Sequence, residues 1–373
     1  MIEKMLLSLI LIPLSAGVLV FCLPKRWRGI FTLLATGGVF LISCYLFRKE
    51  AALTLPWVGS GMDFSLRLYH FNAFILLAAA FFGLLIALYS LSFLKNKDIA
   101  GKFYAYLLLS LSFTNGALLA DHLVLLLFFW EGLLLALYGL IFIGGPRAYK
   151  TANKAFVIVG ISDLCMMAGV ALTGYLAGTL TIGQINLPLN SLGSLAFLLL
   201  VIGASAKAGA MPFHTWIPDA ALDAPLPFMA FFPAAIEKLL GIYFLVRITL
   251  DMFQLTPGSF FSIILMAGGA ITIILAVMMA LVQKDYKRLL SYHAISQVGY
   301  MILGIGTCLP AGIIGGIFHM FNNALYKCGL FLTAGAVEKQ TGTTDLEKLG
   351  GLRTLMPVTF ICYLICAASI SGV

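Results

Sequence analysis

The sequence predicts an all-α, polytopic transmembrane helix bundle. Three observations carry that expectation. Of the 373 residues 61% are hydrophobic, only 10% are charged, and the apolar residues fall in continuous runs. Those runs are roughly 20 residues long, the length a helix needs to cross the hydrocarbon core. Soluble domains are about one-quarter charged, so too few charges remain to cover a water-facing surface. Soluble globular, disordered and disulfide-scaffold classes are excluded. Strands are excluded as the spanning element, because a barrel alternates apolar and polar residues.

Taken in order, the runs predict eleven complete spans and part of a twelfth, at 5–23, 29–47, 71–94, 103–120, 122–143, 155–177, 193–217, 227–250, 259–283, 288–308, 311–337 and 356–373. The first is too long for a signal-peptide core and is followed by another, so it reads as a span. Lys and Arg divide unevenly between alternate loops. Fifteen fall on one side, between Lys25 and Arg353, against five on the other: Lys4, Arg48, Lys49, Arg67 and Arg247. The bias makes the first side cytoplasmic and places the N-terminus outside. The formal charge of +8 is thereby a matter of topology, with no basic domain to hold nucleic acid. The final run, MPVTFICYLICAASISGV, stops in apolar sequence, which leads us to expect a chain cut short of its last spans.

Ionisable groups at membrane depth are costly and need a partner or a job. Glu131, Asp163, Lys207, Glu237, Lys238 and Lys327 all lie inside apolar runs, and His293 and His319 join them. Glu131 has no neutralising residue within a helical turn, so its partner must come from another helix. Lys207 precedes Pro212 and Pro218, which remove two backbone donors and are expected to break the helix. Interrupted membrane helices line ion pathways. Lys238 follows Glu237, but adjacent helical residues point about 100° apart and do not naturally pair. A lysine desolvated there is able to exchange its proton near neutral pH. His293, Ser296, Gln297 and Tyr300 share one helix face, as do His319, Asn323 and Lys327. Together with the three lysines, these stripes predict a hydrated proton relay. The seven cysteines form no CxxC and read as free thiols with no metal. No nucleotide-binding motif appears, so no cofactor is expected in this chain.

The segments WEG (130–132), KAGAMPFHTWIPDAALDAPLP (207–227), KRLLSYHAISQVGYM (287–301) and HMFNNALYKCGLFLTAGAV (319–337) resemble the antiporter-like subunits of respiratory complex I. Relatives of these subunits occur in membrane-bound hydrogenases and in multisubunit cation/proton antiporters. The resemblance implies a fourteen-helix fold with two inverted five-helix repeats, each containing a discontinuous helix. It divides the chain into N-terminal helices (1–102), a first repeat (103–250) and a truncated second repeat (259–373). It matches Glu131 and Lys207 to the family's ion pair, Lys238 to its central lysine, and His319 and Lys327 to the connecting axis. Asn323 stands where many members have a histidine, and His293 replaces a usual Ser or Thr. PAAIEKLLGIYFLVRI resembles the hydrogenase-type branch.

The function expected first is therefore a proton-translocating subunit of a redox-driven complex in a prokaryotic cytoplasmic membrane. It would have other membrane subunits and a peripheral redox arm as partners, with iron–sulfur, flavin or nickel–iron centres in those partners only. The alternative expectation is a subunit of a multisubunit Na⁺/H⁺ antiporter.

Overall fold

The computed structural model describes residues 2–59 and 62–372. Every predicted span contains helix. In chain order these are α1 (Ile2–Leu19), α2 (Lys25–Leu46), α3 (His70–Phe93), α4 (Ala100–Leu119), α5 (Leu123–Phe142), α6 (Ala148–Ala177) and α7 (Ser191–Ala208). The short α8 (Ile217–Asp223) is followed by α9 (Leu226–Phe231) and α10 (Glu237–Val246). Then come α11 (Phe260–Leu281), α12 (Tyr286–Gly306), α13 (Pro310–Thr341), α14 (Leu352–Leu355) and α15 (Pro357–Ser371).

Among the described residues, eight helical segments are long and apolar enough to cross a membrane. The helices α4, α12, α13 and α15 occupy predicted span positions without meeting that measure. The polar stripes lower the apolar character of α12 and α13, and α15 has only 15 residues. The fold is an all-α membrane bundle.

One element went unpredicted. Strands β1 (Ala51–Gly59) and β2 (Met62–Leu68) form an antiparallel hairpin between α2 and α3, with Leu53 opposite Leu66 and Leu55 opposite Phe64. Leu66 and Leu68 are fully buried, and Trp57 packs edge-on against both Phe64 and Phe128. The first is a cross-strand aromatic contact of the kind that stabilises a hairpin, and the second fixes the hairpin to α5. The hairpin also ties down the entry to α5, because the Asp121 amide donates to the Ser65 carbonyl at 2.9 Å.

Two helices depart from regular geometry. The path from α7 to α8 is interrupted at residues 209–216, and the segment containing α9 and α10 holds two π-helical turns, Phe232–Ile236 and Arg247–Met252. Pro233 lies in the first of these turns, and the wider turn accommodates a residue that cannot donate to the helix ladder. This segment is the buried centre of the bundle: α10 packs on α7, on α12 and on α13.

Candidate ion-translocation site

Lys207 is in the last turn of α7, where the helix dipole favours a cation. Gly209 follows in the left-handed region (φ +85°) and ends the helix. A β-carbon there would stand 2.7 Å from Ile217 Cδ1 and 3.6 Å from Lys238 Nζ, so the break is lined by the Lys238 ammonium. Pro212 lies within the interruption, after Gly209 has already ended α7. Pro218 sits in the first turn of α8, where the missing donor costs nothing because first-turn amides have no intrahelical acceptor. It starts a helix and interrupts none, which corrects the reading from sequence.

The ion pair also differs from the one implied by resemblance. Lys207 Nζ is 3.5 Å from Asp163 Oδ2, both side chains being essentially inaccessible. Asp163 Oδ1 accepts from the Trp130 indole N–H at 2.8 Å. The same ammonium donates to the Trp130 carbonyl at 3.4 Å and stands 4.8 Å from its ring centroid. Trp130 thus holds anion and cation together. Glu131 makes no ion pair with Lys207; a helix turns about 100° between neighbours, so it points away from the face Trp130 presents. Instead, Glu131 lines an apolar groove with Trp57, Phe128 and Met167. Its Oε1 is buried without a hydrogen-bond partner among the described residues.

From the Asp163–Lys207 pair a series of buried polar groups runs through the bundle. Lys238 and Glu237 are fully inaccessible, and neither the ammonium nor either carboxylate oxygen has a hydrogen-bond partner among the described residues. Gly241 lets α10 touch α7 here: a β-carbon at 241 would fall 2.6 Å from the Ala208 amide nitrogen. Lys327 is equally buried and donates to the Leu290 carbonyl at 3.4 Å. Among the described residues, both side-chain amide atoms of Asn323 lack a partner, and so does His293 Nδ1.

The two stripes meet at Gln297. Its Oε1 accepts from Tyr326 Oη at 2.8 Å and lies 2.9 Å from His319 Nε2. Its amide nitrogen contacts Ser296 Oγ at 3.2 Å. Tyr300 is 47% exposed, so the stripe on α12 rotates out of the interior at that end. Sequence reasoning named Glu131, Lys207, Lys238, His293, His319 and Lys327 as the translocation residues. It named Asp163 as a buried acid without assigning its role, and it missed Tyr326 and Trp130. Trp130 is adjacent to the residue that carried the motif, but only the fold shows which acid its indole reaches.

At the end of the bundle bearing α8, Asp219 joins the two halves. It contacts Lys154 of α6 at 2.7 Å and Arg288 of α12 at 3.8 Å. Thr151 Oγ1 donates to Asp223 at 2.6 Å. The second half of the broken helix is thereby docked on both sides.

A family model described as NADH:quinone oxidoreductase/Mrp antiporter, transmembrane, matches residues 120–373. A Na⁺/H⁺ antiporter subunit of Alkalihalophilus pseudofirmus is 35% identical over 343 residues, which is 86% of this chain and 42% of that protein. Its counterpart from Staphylococcus haemolyticus, likewise a Na⁺/H⁺ antiporter subunit, is 32% identical over 356 residues, 89% of this chain and 44% of that one. The chain therefore spans less than half the length of these curated relatives. Among solved structures, the Mrp complex of a Dietzia species matches with TM-score 0.91 and 26% identity, over 99% of this chain and 41% of that one. An archaeal membrane-bound sulfane sulfur reductase matches with TM-score 0.89 and 26% identity, over 99% of this chain and 78% of that one. Respiratory complex I of Thermus thermophilus, at 22% identity and TM-score 0.86 over 99% and 79% of the two chains, shares the fold.

Proposed function

The chain belongs to the NADH:quinone oxidoreductase/Mrp antiporter transmembrane family, and from that premise we propose that it is the ion-translocating core of a Na⁺/H⁺ antiporter subunit. The observation that carries the reading is the buried Asp163–Lys207 pair at a helix break, in a chain whose curated relatives are antiporter subunits. This reverses the order of the two functions expected from the sequence. The redox-driven reading draws on the likeness to the sulfane sulfur reductase and to complex I. The peripheral redox arm has no support among the curated relatives. The hydrogenase-like phrase around Lys238 does not outweigh the relatives either.

The mechanism follows from charge. An opposite charge beside a buried amine favours its ammonium form, and burial opposes that form. Moving Asp163 away from Lys207, or neutralising it, leaves only the second influence, so the proton departs. Lys238, whose ammonium faces the break at Gly209, is the acceptor within reach. Lys327 and the His319–Gln297–Tyr326 cluster continue the path into α12 and α13. In the proposed orientation the Lys- and Arg-rich loops face the cytoplasm, and the hairpin faces outward. The partners are further membrane subunits, as in the multisubunit assemblies that match in structure.

The test is a vesicle assay on the assembled complex. Na⁺ added to everted vesicles should dissipate an imposed proton gradient, and Lys207→Ala should abolish the effect. A gradient insensitive to Na⁺ but driven by a redox substrate would favour the redox reading instead.

A further inference from the structure

Where α1 gives way to α2 and α3 to α4, a cavity of about 720 Å³ opens between the helix ends. Lys25, Arg26, Arg28, Lys95 and Lys97 line it, against one acid, Asp98. Asp98 pairs with Lys25 at 2.9 Å, and both side chains are largely exposed. Among the described residues, Lys25 is the only one of these five cations with an acidic partner, so the cavity keeps a surplus of positive charge. Topology asks only that such charges lie on one side of the membrane. It does not ask for a cavity with donors fixed inside it.

Two such donors are fixed here. Arg28 Nε donates to the Leu23 carbonyl at 2.9 Å and Nη2 to the Phe21 carbonyl at 3.3 Å. Its Nη1 rests against Gly101 of α4, where a β-carbon would collide with it, and makes no hydrogen bond among the described residues. The second donor is Tyr104, a lining residue only 5% exposed, whose hydroxyl also lacks a hydrogen-bond partner among the described residues. A β-carbon at Gly29 would stand 3.0 Å from that hydroxyl, so the bare backbone of α2 leaves it room. Gly101 and Tyr104 are three residues apart, on one face of α4, and the guanidinium and the hydroxyl therefore converge. In addition, α2 begins at the cavity with Lys25 and Arg26, and Pro24 before them supplies no capping side chain. The positive end of that helix is left for an anion.

The surface beside the cavity is apolar. Trp27, Ile30, Leu34 and Leu41 recur at helical spacing along α2, and all four are exposed. Basic pockets between membrane helices on the cytoplasmic side suit anionic lipid headgroups, and Trp27 sits at the level where amphipathic rings mark the membrane interface. We propose that this cavity binds the phosphate headgroup of an anionic phospholipid, held by Arg28, Lys95, Lys97 and the Tyr104 hydroxyl, with the acyl chains lying along the exposed face of α2. A soluble phosphate would use the same donors but would leave that apolar face unused.

The test is equilibrium binding of radiolabelled dioctanoyl phosphatidylglycerol to the purified, detergent-solubilised complex. Binding should be saturable, and dioctanoyl phosphatidylcholine should compete poorly. Arg28→Gln and Lys95→Gln should each weaken it by about fivefold, the contribution of one basic residue near a lipid surface. Arg28 also ties down the turn between α1 and α2, so Lys95→Gln, in an exposed loop, guards against a folding effect. Tyr104→Phe, which changes no charge, should weaken binding too. Lys102→Gln removes an exposed basic neighbour that does not line the cavity and should leave binding within about twofold of native, because exposed charges are screened. An equal loss in Lys102→Gln would mean diffuse attraction and overturn the site, as would the absence of saturable binding. Glycerol 3-phosphate competing as well as the lipid would identify a soluble phosphate ester and overturn the lipid assignment. None of these outcomes bears on the antiporter reading, which the vesicle assay judges separately.

Discussion

The ammonium of Lys207 lies 3.5 Å from Asp163 Oδ2, and the Trp130 indole holds the other oxygen of that carboxylate at 2.8 Å. The acid that balances the lysine of the broken helix therefore comes from α6, and Glu131 of α5 is left to face a groove. The distinction decides what each acid does. Asp163 is in direct contact with Lys207, whereas Glu131 lies outside that contact.

A double-mutant cycle separates the two acids. Breaking a buried pair by removing one partner costs roughly 3–5 kcal/mol, so Asp163→Ala and Lys207→Ala should each lower the melting temperature of the complex. Residues in contact couple by about 0.5–3 kcal/mol, and residues out of contact add within about 0.5 kcal/mol. Asp163 and Lys207 should fall in the first range, Glu131 and Lys207 in the second. Thermal unfolding of the four variants in each cycle checks this, and a larger coupling for Glu131 would reverse the assignment.

Gly209 carries a second expectation. Its φ of +85° is left-handed, a region that costs a residue with a β-carbon about 1–2 kcal/mol. The β-carbon would also meet Ile217 Cδ1 at 2.7 Å. Gly209→Ala should destabilise the complex, and adding Ile217→Val should recover only the steric part of the loss. Full recovery would mean that the backbone conformation carries no cost.

Much of this arrangement is legible before any fold is known. Apolar run length places most helices within a few residues, because membrane insertion is a local, additive property of the chain, though α6 begins seven residues early and α7 ends nine residues short of its run. The buried lysines stand out for the same reason: each violates a strong local rule. Which acid meets Lys207 is not local. It depends on how α5 and α6 rotate about their axes, and Trp130, whose indole makes the choice, looks like any other aromatic in an apolar run. Pro218 misleads because a proline in sequence is the same whether it ends one helix or begins the next. The hairpin is missed for another reason. Its first strand is interrupted by Pro56, and its aromatic residues pack on Phe128 and Phe129 of α5.

The topology is open to a direct check. The charge bias puts Lys4 outside and Lys150, in the first turn of α6, inside. Cysteines introduced at these two positions should react with an impermeant thiol reagent from opposite faces of sealed vesicles. Reaction from the same face would require an even number of spans between them.

The last prediction asks whether Lys207 cycles its proton or merely holds the structure together. Arginine at this position is the discriminating substitution. A guanidinium keeps the positive charge, so the attraction to Asp163 persists, and it packs on the Trp130 ring at least as well as an ammonium does. It does not give up its proton under any condition the cell provides. Lys207→Arg should therefore assemble with a melting temperature near that of the native complex and fail in Na⁺-driven dissipation of the proton gradient. Lys207→Ala should fail in both respects, because it leaves the Asp163 carboxylate buried and uncompensated. The contrast matters more than either result alone, since it removes assembly as an explanation for lost transport. If the arginine variant exchanged ions at the native rate, the charge at 207 would be a fixed element of the bundle. The migrating proton would then have to reach Lys238 by a route that does not load Lys207, and the break at Gly209 would serve to admit water to Lys238 directly.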